Sequence, residues 1–204
     1  GSPDLSEEFL GASPMGKVPA LVDGDVGMAE SAAICLYVAD RYAPGSLAPA
    51  LDDARRGQYL YWTLYTPAVV EPAMSEKFNK VESNRRRSGW GDFDTMIDTW
   101  DSALDDRAWI LGDQFTAADV MLGSSAIFLR MFEMLPETRN LGAYADRCLA
   151  RPANQRALEK GAGCASALVV FSVALFRPHR TGRVMLGKFR FRQNLVAIEI
   201  QVFE

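Results

Sequence analysis

Hydrophobic and polar positions follow two different periods along this chain. Near the start, residues 18–22 and 26–29 predict two short strands, and the DGD sequence between them supplies the positive φ angles of a tight hairpin. A run with apolar residues at helical spacing begins directly afterwards at Ser31. From about Leu51 onward the helical period dominates. The pattern therefore predicts a small β-containing portion followed by a mostly helical one.

The helical portion divides into several segments. Residues 59–65 carry large apolar side chains at helical spacing, and Pro67 is expected to kink or interrupt this helix. Residues 93–104 and 141–149 predict two further helices, and Pro152 suits the first position of the next one.

A helix start is also predicted at Thr116. Thr116 and Asp119 have the spacing of a capping box, and Phe115 and Val120 have that of a hydrophobic staple. These residues nucleate structure, so we assign them no chemistry.

The start of the first predicted helix has the features of an anion-binding site. Ser31 is expected to be its N-cap, where unpaired backbone N–H groups and a partial positive charge can hold a carboxylate. Glu30 adds an acceptor suited to an ammonium group. The α-amino and α-carboxyl groups of an amino acid would satisfy both, although Ser31 as a plain helix cap needs no ligand.

Two strings together resemble a known family. SPMGKVPALVDGD at residues 13–25 and ESAAICLYVADRY at residues 30–42 look like the second half of the thioredoxin-like domain of cytosolic glutathione transferases. The family pattern is close to NPxGKVPALxDGD, a few residues, and ESxAIxxYLxxxY. FTAAD at residues 115–119 is similar to the start of the central buried helix of the family's C-terminal domain.

The resemblance implies an α+β to mostly α fold. We expect a truncated thioredoxin-like domain at residues 1–45, an all-helical glutathione transferase C-terminal domain at 46–161, and an atypical tail at 162–204. In the family the enzyme lowers the pKa of the glutathione thiol, and the thiolate attacks an apolar electrophile. The implied partners are glutathione as substrate, an apolar electrophilic small molecule and a second copy of the chain.

The resemblance also implies a glutathione-binding site. It implies that Pro19 is a cis proline and that the backbone of Val18 pairs with the cysteinyl part of glutathione. Glu30 and Ser31 would hold the γ-glutamyl end. Lys17 would lie toward the glycyl carboxylate.

The residue that activates the thiol has no counterpart in this sequence. In the family it belongs to a βαβ unit of roughly 40 residues that precedes the SPMGKVP loop, and about ten residues stand there in this chain. The catalytic residue is therefore unknown, and these residues alone are expected to bind glutathione weakly without turnover. Two alternatives stay open: a non-catalytic glutathione transferase-like module that binds proteins, and an inactive truncated product.

An aromatic cluster lies on the first long helix. Core or subunit-interface packing accounts for most of Tyr59, Tyr61, Trp62 and Tyr65. The family's co-substrate pocket lies against this helix, so Tyr59, Trp62 and Tyr65 are candidates to line it.

Composition favours a cytoplasmic protein. Three cysteines without CxxC spacing argue against a disulfide framework, and the single histidine, His179, excludes a multi-histidine metal site, so no metal is expected. A net charge of −4 without a broad basic face argues against nucleic-acid binding. The apolar run at 165–176 is shorter than the about 20 residues that cross a bilayer, so no membrane association is expected.

The tail differs in charge composition from the rest of the chain. Residues 1–161 carry 16 Lys and Arg against 24 Asp and Glu, whereas residues 162–204 carry 6 against 2. A reading-frame change or fusion near Gly161 and a genuine variant extension both remain open. We expect the tail to lie outside the site. The competing possibility is that residues 195–203 pair with the strand at 18–22, whose edge the missing unit would leave open.

Overall fold

The computed structural model describes residues 6–161, 182–185, 189–191 and 194–196. The chain forms two compact units, Gly1–Tyr42 with Arg151–Glu204, and Ala43–Ala150. The elements of the first stretch are α1 (Glu7–Ala12), β1 (Ala20–Asp23), β2 (Val26–Ala29) and α2 (Ser31–Tyr42). The second unit contains α3 (Arg56–Tyr65), α4 (Glu71–Phe78), α5 (Phe93–Ala103), α6 (Ala117–Met131) and α7 (Leu141–Ala150). After it come α8 (Pro152–Gly161), β3 (Gly182–Met185), β4 (Phe189–Phe191) and β5 (Asn194–Val196).

The predicted hairpin is present. β1 and β2 pair antiparallel with Ala20 opposite Ala29 and Asp23 opposite Val26, and Gly24 in the turn has φ +60°. Phe9, Ala12 and Ala20 form a small buried cluster, so α1 packs against the start of β1. The hairpin and α1 together place the loop at residues 13–19 at the entrance to β1.

A tail strand lies on the second edge of β1. β3 pairs antiparallel with β1, with Ala20 opposite Met185 and Asp23 opposite Gly182, which makes β1 the central strand of three. A strand of the tail does pair with this edge of β1, as the competing possibility held, but the strand is β3. The predicted segment begins in β5, which pairs with β4 instead. Residues 197–203 lie outside the described residues. The predicted division at residues 45 and 161 stays a prediction.

The second unit is helical and confirms most of the expected boundaries. A π-helical segment at Thr66–Val70 separates α3 from α4, so the interruption at Pro67 is confirmed. α5 begins at Phe93, where the Asp92 carboxylate accepts a hydrogen bond from the Thr95 N–H at 2.8 Å. Beyond the second unit, Pro152 is the first residue of α8, as expected.

The capping box at the start of α6 is confirmed. The Thr116 N–H donates to Asp119 Oδ2 at 2.8 Å, and Asp119 is fully buried. α6 packs against α3, α7 and the π-helical segment, and the largest buried side chains of this unit include Tyr59, Trp100, Tyr144 and Leu141.

Candidate functional site

The hairpin register brings the two predicted binding segments together. Pro19 directly precedes Ala20, and Glu30 directly follows Ala29, and these two alanines face each other across the β1–β2 pair. Directly opposite residues in an antiparallel pair have Cα atoms about 5 Å apart. The loop that carries Lys17, Val18 and Pro19 therefore meets the turn that carries Glu30 and Ser31 at one end of the hairpin.

The loop before β1 presents both backbone and charge. The Val18–Pro19 peptide bond is cis, as the resemblance implied. Lys17 is exposed, whereas Val18 and Pro19 are half-buried. An ammonium group and the backbone of Val18 are thus available on neighbouring residues.

The turn before α2 differs from the expectation in one respect. Ser31 is the first helical residue and not the N-cap, because the carbonyl of Glu30 already accepts the first helical hydrogen bond from the Ile34 N–H at 2.9 Å. Glu30 makes the turn from β2 into the helix with a left-handed φ of +74°. Its side chain is exposed and that of Ser31 is half-buried, so a carboxylate and a hydroxyl flank the N-terminal N–H groups of a 12-residue helix.

The far end of the hairpin contains a cluster that the sequence did not reveal. Asp23 Oδ2 accepts hydrogen bonds from Tyr42 OH at 2.5 Å and Tyr37 OH at 2.8 Å, and Arg41 Nε lies 3.1 Å away. The hydrogen bond from Tyr42, that from Tyr37 and the charge of Arg41 together lower the pKa of Asp23. Asp23 therefore anchors the last turns of α2 to the end of β1, which fixes the helix at the end opposite to Glu30.

Cys35 is not a candidate nucleophile. It lies on α2 with 1% of its surface exposed, and burial raises the pKa of its thiol to about 12. A thiol must ionise to attack an electrophile, so Cys35 has a packing role.

The candidate co-substrate residues are buried. Tyr59, Trp62 and Tyr65 expose 0%, 6% and 6% of their surfaces. Trp62 and Tyr65 have ring centroids 5.0 Å apart, and Tyr65 OH donates to the carbonyl of Met96 at 3.2 Å. A separate groove of about 650 Å³ within the helical unit is lined by residues of α4, α5 and the segment 133–138, and includes none of the three.

The described residues contain neither a cluster of potential metal ligands nor a helix that could cross a membrane. Within the part of the chain that the structure describes, no group of three or more His, Cys, Asp or Glu residues is arranged to hold a metal ion. Among the helices of that same part, none combines the length and apolar character needed to cross a membrane.

Comparison with known proteins decides the family. A family model described as "Glutathione S-transferase, N-terminal domain" matches residues 2–46, and one described as "Glutathione S-transferase, C-terminal domain" matches residues 73–147. The chain belongs to the glutathione transferase family. The predicted fold, a thioredoxin-like domain followed by a helical domain, is confirmed for this member of the family.

The relatives of this chain include proteins with different names. A "Glutathione S-transferase" of Hyoscyamus muticus is 27% identical over 172 residues, which cover 75% of this chain and 79% of that protein. An "Elongation factor 1-gamma" of Artemia salina is 29% identical over 139 residues, which cover 63% of this chain and 30% of the elongation factor. A solved theta-class glutathione S-transferase of Xanthomonas axonopodis pv. citri, with glutathione bound, is 28% identical and matches with a TM-score of 0.56. The match covers 76% of this chain and 78% of that protein's chain.

Proposed function

We propose that this chain binds glutathione at the loop and turn that meet at one end of the hairpin, and that the protein conjugates the glutathione thiolate to apolar electrophiles. The observation that carries the proposal is the register of Ala20 with Ala29, which joins the cis Val18–Pro19 loop to the start of α2. The glutathione bound in the Xanthomonas relative supports the choice of ligand.

Each end of glutathione finds a complementary group in this arrangement. The γ-glutamyl carboxylate suits the Ser31 hydroxyl and the N–H groups at the start of α2, and its ammonium suits the exposed Glu30. The exposed Lys17 suits the glycyl carboxylate. The backbone of Val18 pairs with the cysteinyl part between them.

The proposed reaction also needs a thiol-activating residue and a co-substrate pocket. No residue of this chain is assigned to activation of the thiol. We keep Tyr59, Trp62 and Tyr65 as co-substrate pocket residues that shape its wall from within the core, since all three are buried.

We further propose a cytoplasmic homodimer. Leu60, Tyr61 and Leu64 lie on one side of α3 and expose 36%, 49% and 47% of their surfaces. An exposed apolar strip on a helix favours burial against a second copy of the chain. Light scattering coupled to size exclusion should give the mass of a dimer for the wild type and a lower mass for Leu64→Glu.

A non-catalytic protein-binding module is the second candidate. The similarity to a protein named "Elongation factor 1-gamma" supports this candidate, because that name does not refer to a conjugation reaction. An inactive product is the third reading.

Calorimetric titration with glutathione tests the proposed site. The double variant Glu30→Ala/Ser31→Ala should lose most of the affinity, while Asp25→Ala, which removes an exposed carboxylate from the same hairpin, should keep it. Unchanged affinity in the double variant would refute the site. Turnover of a chromogenic electrophile then separates an enzyme from a binding module, and absence of both binding and turnover supports the inactive product.

A further inference from the structure

Ser13 uses every polar group it has. Its N–H donates to the carbonyl of Phe9 at 2.8 Å, which closes the end of α1, and its carbonyl accepts from the N–H of Gly16 at 2.8 Å. Its hydroxyl donates to the carbonyl of Lys17 at 2.7 Å and accepts from the N–H of Lys17 at 3.1 Å. Ser13 is 1% exposed, so water does not compete for these bonds.

One hydroxyl thus holds both backbone groups of Lys17. A serine hydroxyl has one hydrogen to donate and lone pairs to accept, and here Lys17 takes up both functions. Gly16, with φ +63°, lets the chain turn back so that Lys17 returns to Ser13. The loop is therefore a closed unit, tied at one end to α1 and leading at the other into Val18.

Lys17, whose backbone Ser13 holds, is one of the proposed ligand contacts and directly precedes another, Val18. Lys17 is exposed although its backbone is tied down, so its side chain leaves the loop from a defined point. Val18 follows directly, and its position depends on the ψ angle of Lys17. A change at Ser13 therefore reaches both the ammonium and the Val18 backbone without touching a ligand.

We propose that Ser13 is a positioning residue for glutathione, which acts by holding Lys17 and Val18 for the glycyl and cysteinyl parts of the ligand. This inference rests on the proposed function. Ser13 itself is too deeply buried to contact the ligand.

A comparison of two ligands tests this role. Glutathione and its glycyl ethyl ester differ only in the carboxylate that Lys17 would meet, so the ratio of their dissociation constants reports the position of Lys17. Ser13→Ala leaves the N–H and the carbonyl of Lys17 without their partner, and we expect affinity for glutathione to fall about tenfold. The dissociation constant of the ester divided by that of glutathione should fall toward the value for Lys17→Ala.

Control variants separate positioning from stability. Ser6→Ala removes the hydrogen bond from the Phe9 N–H to the Ser6 hydroxyl at the start of the same α1, so it should lower the melting temperature and leave the ligand ratio unchanged. Ser13→Thr keeps the hydroxyl and should restore the ratio. Ser13→Cys keeps a side chain of the same shape, slightly larger and with a weaker donor, and provides the same comparison if the alanine variant does not fold.

The outcomes are distinct. A wild-type ligand ratio in Ser13→Ala or Ser13→Cys, whatever the melting temperature, overturns the positioning role. Wild-type glutathione affinity in Glu30→Ala/Ser31→Ala instead refutes the proposed site itself, and is read independently of Ser13.

Discussion

Tyr144 donates its hydroxyl hydrogen to Asp119 Oδ1 at 3.0 Å, and thereby joins α7 to the capping box of α6. The same oxygen accepts from the N–H of Ile110 at 2.8 Å, and Oδ2 accepts from the N–H and the hydroxyl of Thr116. One buried carboxylate therefore satisfies four donors from three parts of the helical unit. The capping box is only half of its role.

Asp119→Ala should destabilise the protein by more than the loss of a helix cap. A cap costs about 1 kcal/mol, and each further buried donor left without a partner costs about 1 to 3 kcal/mol, so we expect a loss of roughly 3 kcal/mol or more. Urea unfolding gives the value. Tyr144→Phe should cost about 1 kcal/mol. A large fall in glutathione affinity at an unchanged melting temperature would make Asp119 a functional residue instead.

The same carboxylate predicts a pH dependence of stability. Burial raises the pKa of Asp119 from 3.8 to about 6, against the hydrogen bonds that favour its ionised form. Between about pH 4 and 6 the folded state keeps a proton that the unfolded state has released. The free energy of unfolding should therefore fall as pH rises through this window, by about 1.4 kcal/mol per pH unit.

Urea titrations of wild type and Asp119→Asn across pH 4 to 6 check this. The variant has no group to ionise and should lack this contribution to the slope, whereas Asp98→Asn, at an exposed position, should retain it. Asp23 has the opposite effect at lower pH. Because the hydrogen bond from Tyr42 lowers its pKa, the free energy of unfolding falls as pH drops below this window. Equal slopes for wild type and Asp119→Asn contradict the prediction.

Gly123 should not tolerate a side chain. A Cβ at Gly123 on α6 would lie 2.5 Å from Cys148 Sγ on α7. We expect Gly123→Ala to cost about 1 to 3 kcal/mol through overpacking, in spite of alanine's better helix propensity. Adding Cys148→Ala should recover at least about 1 kcal/mol in a double-mutant cycle. Simple additivity in thermal unfolding would place the clash elsewhere.

Glu30→Gly should separate stability from binding. The left-handed φ of +74° suits glycine better than glutamate, so unfolding free energy should rise by up to about 1 kcal/mol. Glutathione affinity should fall, because the carboxylate is gone. Lys80 also has a left-handed φ, +55°, and Lys80→Gly should stabilise without changing affinity. Full affinity in Glu30→Gly would remove Glu30 from the site.

Removal of residues 162–204 tests the tail strand. Without β3 the outer edge of β1 has unpaired N–H and carbonyl groups, so we expect a lower melting temperature and concentration-dependent self-association by light scattering. A shortened chain that keeps the oligomeric state and the melting temperature of the full chain would show that the pairing of β3 with β1 contributes nothing to stability.

Local signals in the sequence were sufficient to predict the helices and strands, but not the contacts between them. The DGD turn and the Thr116–Asp119 box are encoded within a few residues, and both were predicted. The partners that Asp119 finds in Tyr144, and Asp23 in Tyr42, come from residues distant along the chain, which periodicity cannot pair. Ser31 was misplaced by one residue because a left-handed Glu30 is not the residue type that signals a turn.

The position of β3 makes the order of synthesis matter. Ala43–Ala150 is a compact unit made from one continuous stretch, whereas the three-stranded sheet requires Ala20 to meet Met185, which is distant along the chain. During translation one edge of β1 therefore has no β3 to pair with until Met185 has emerged. The three-stranded sheet is thus completed only after the whole of Ala43–Ala150 has been synthesised.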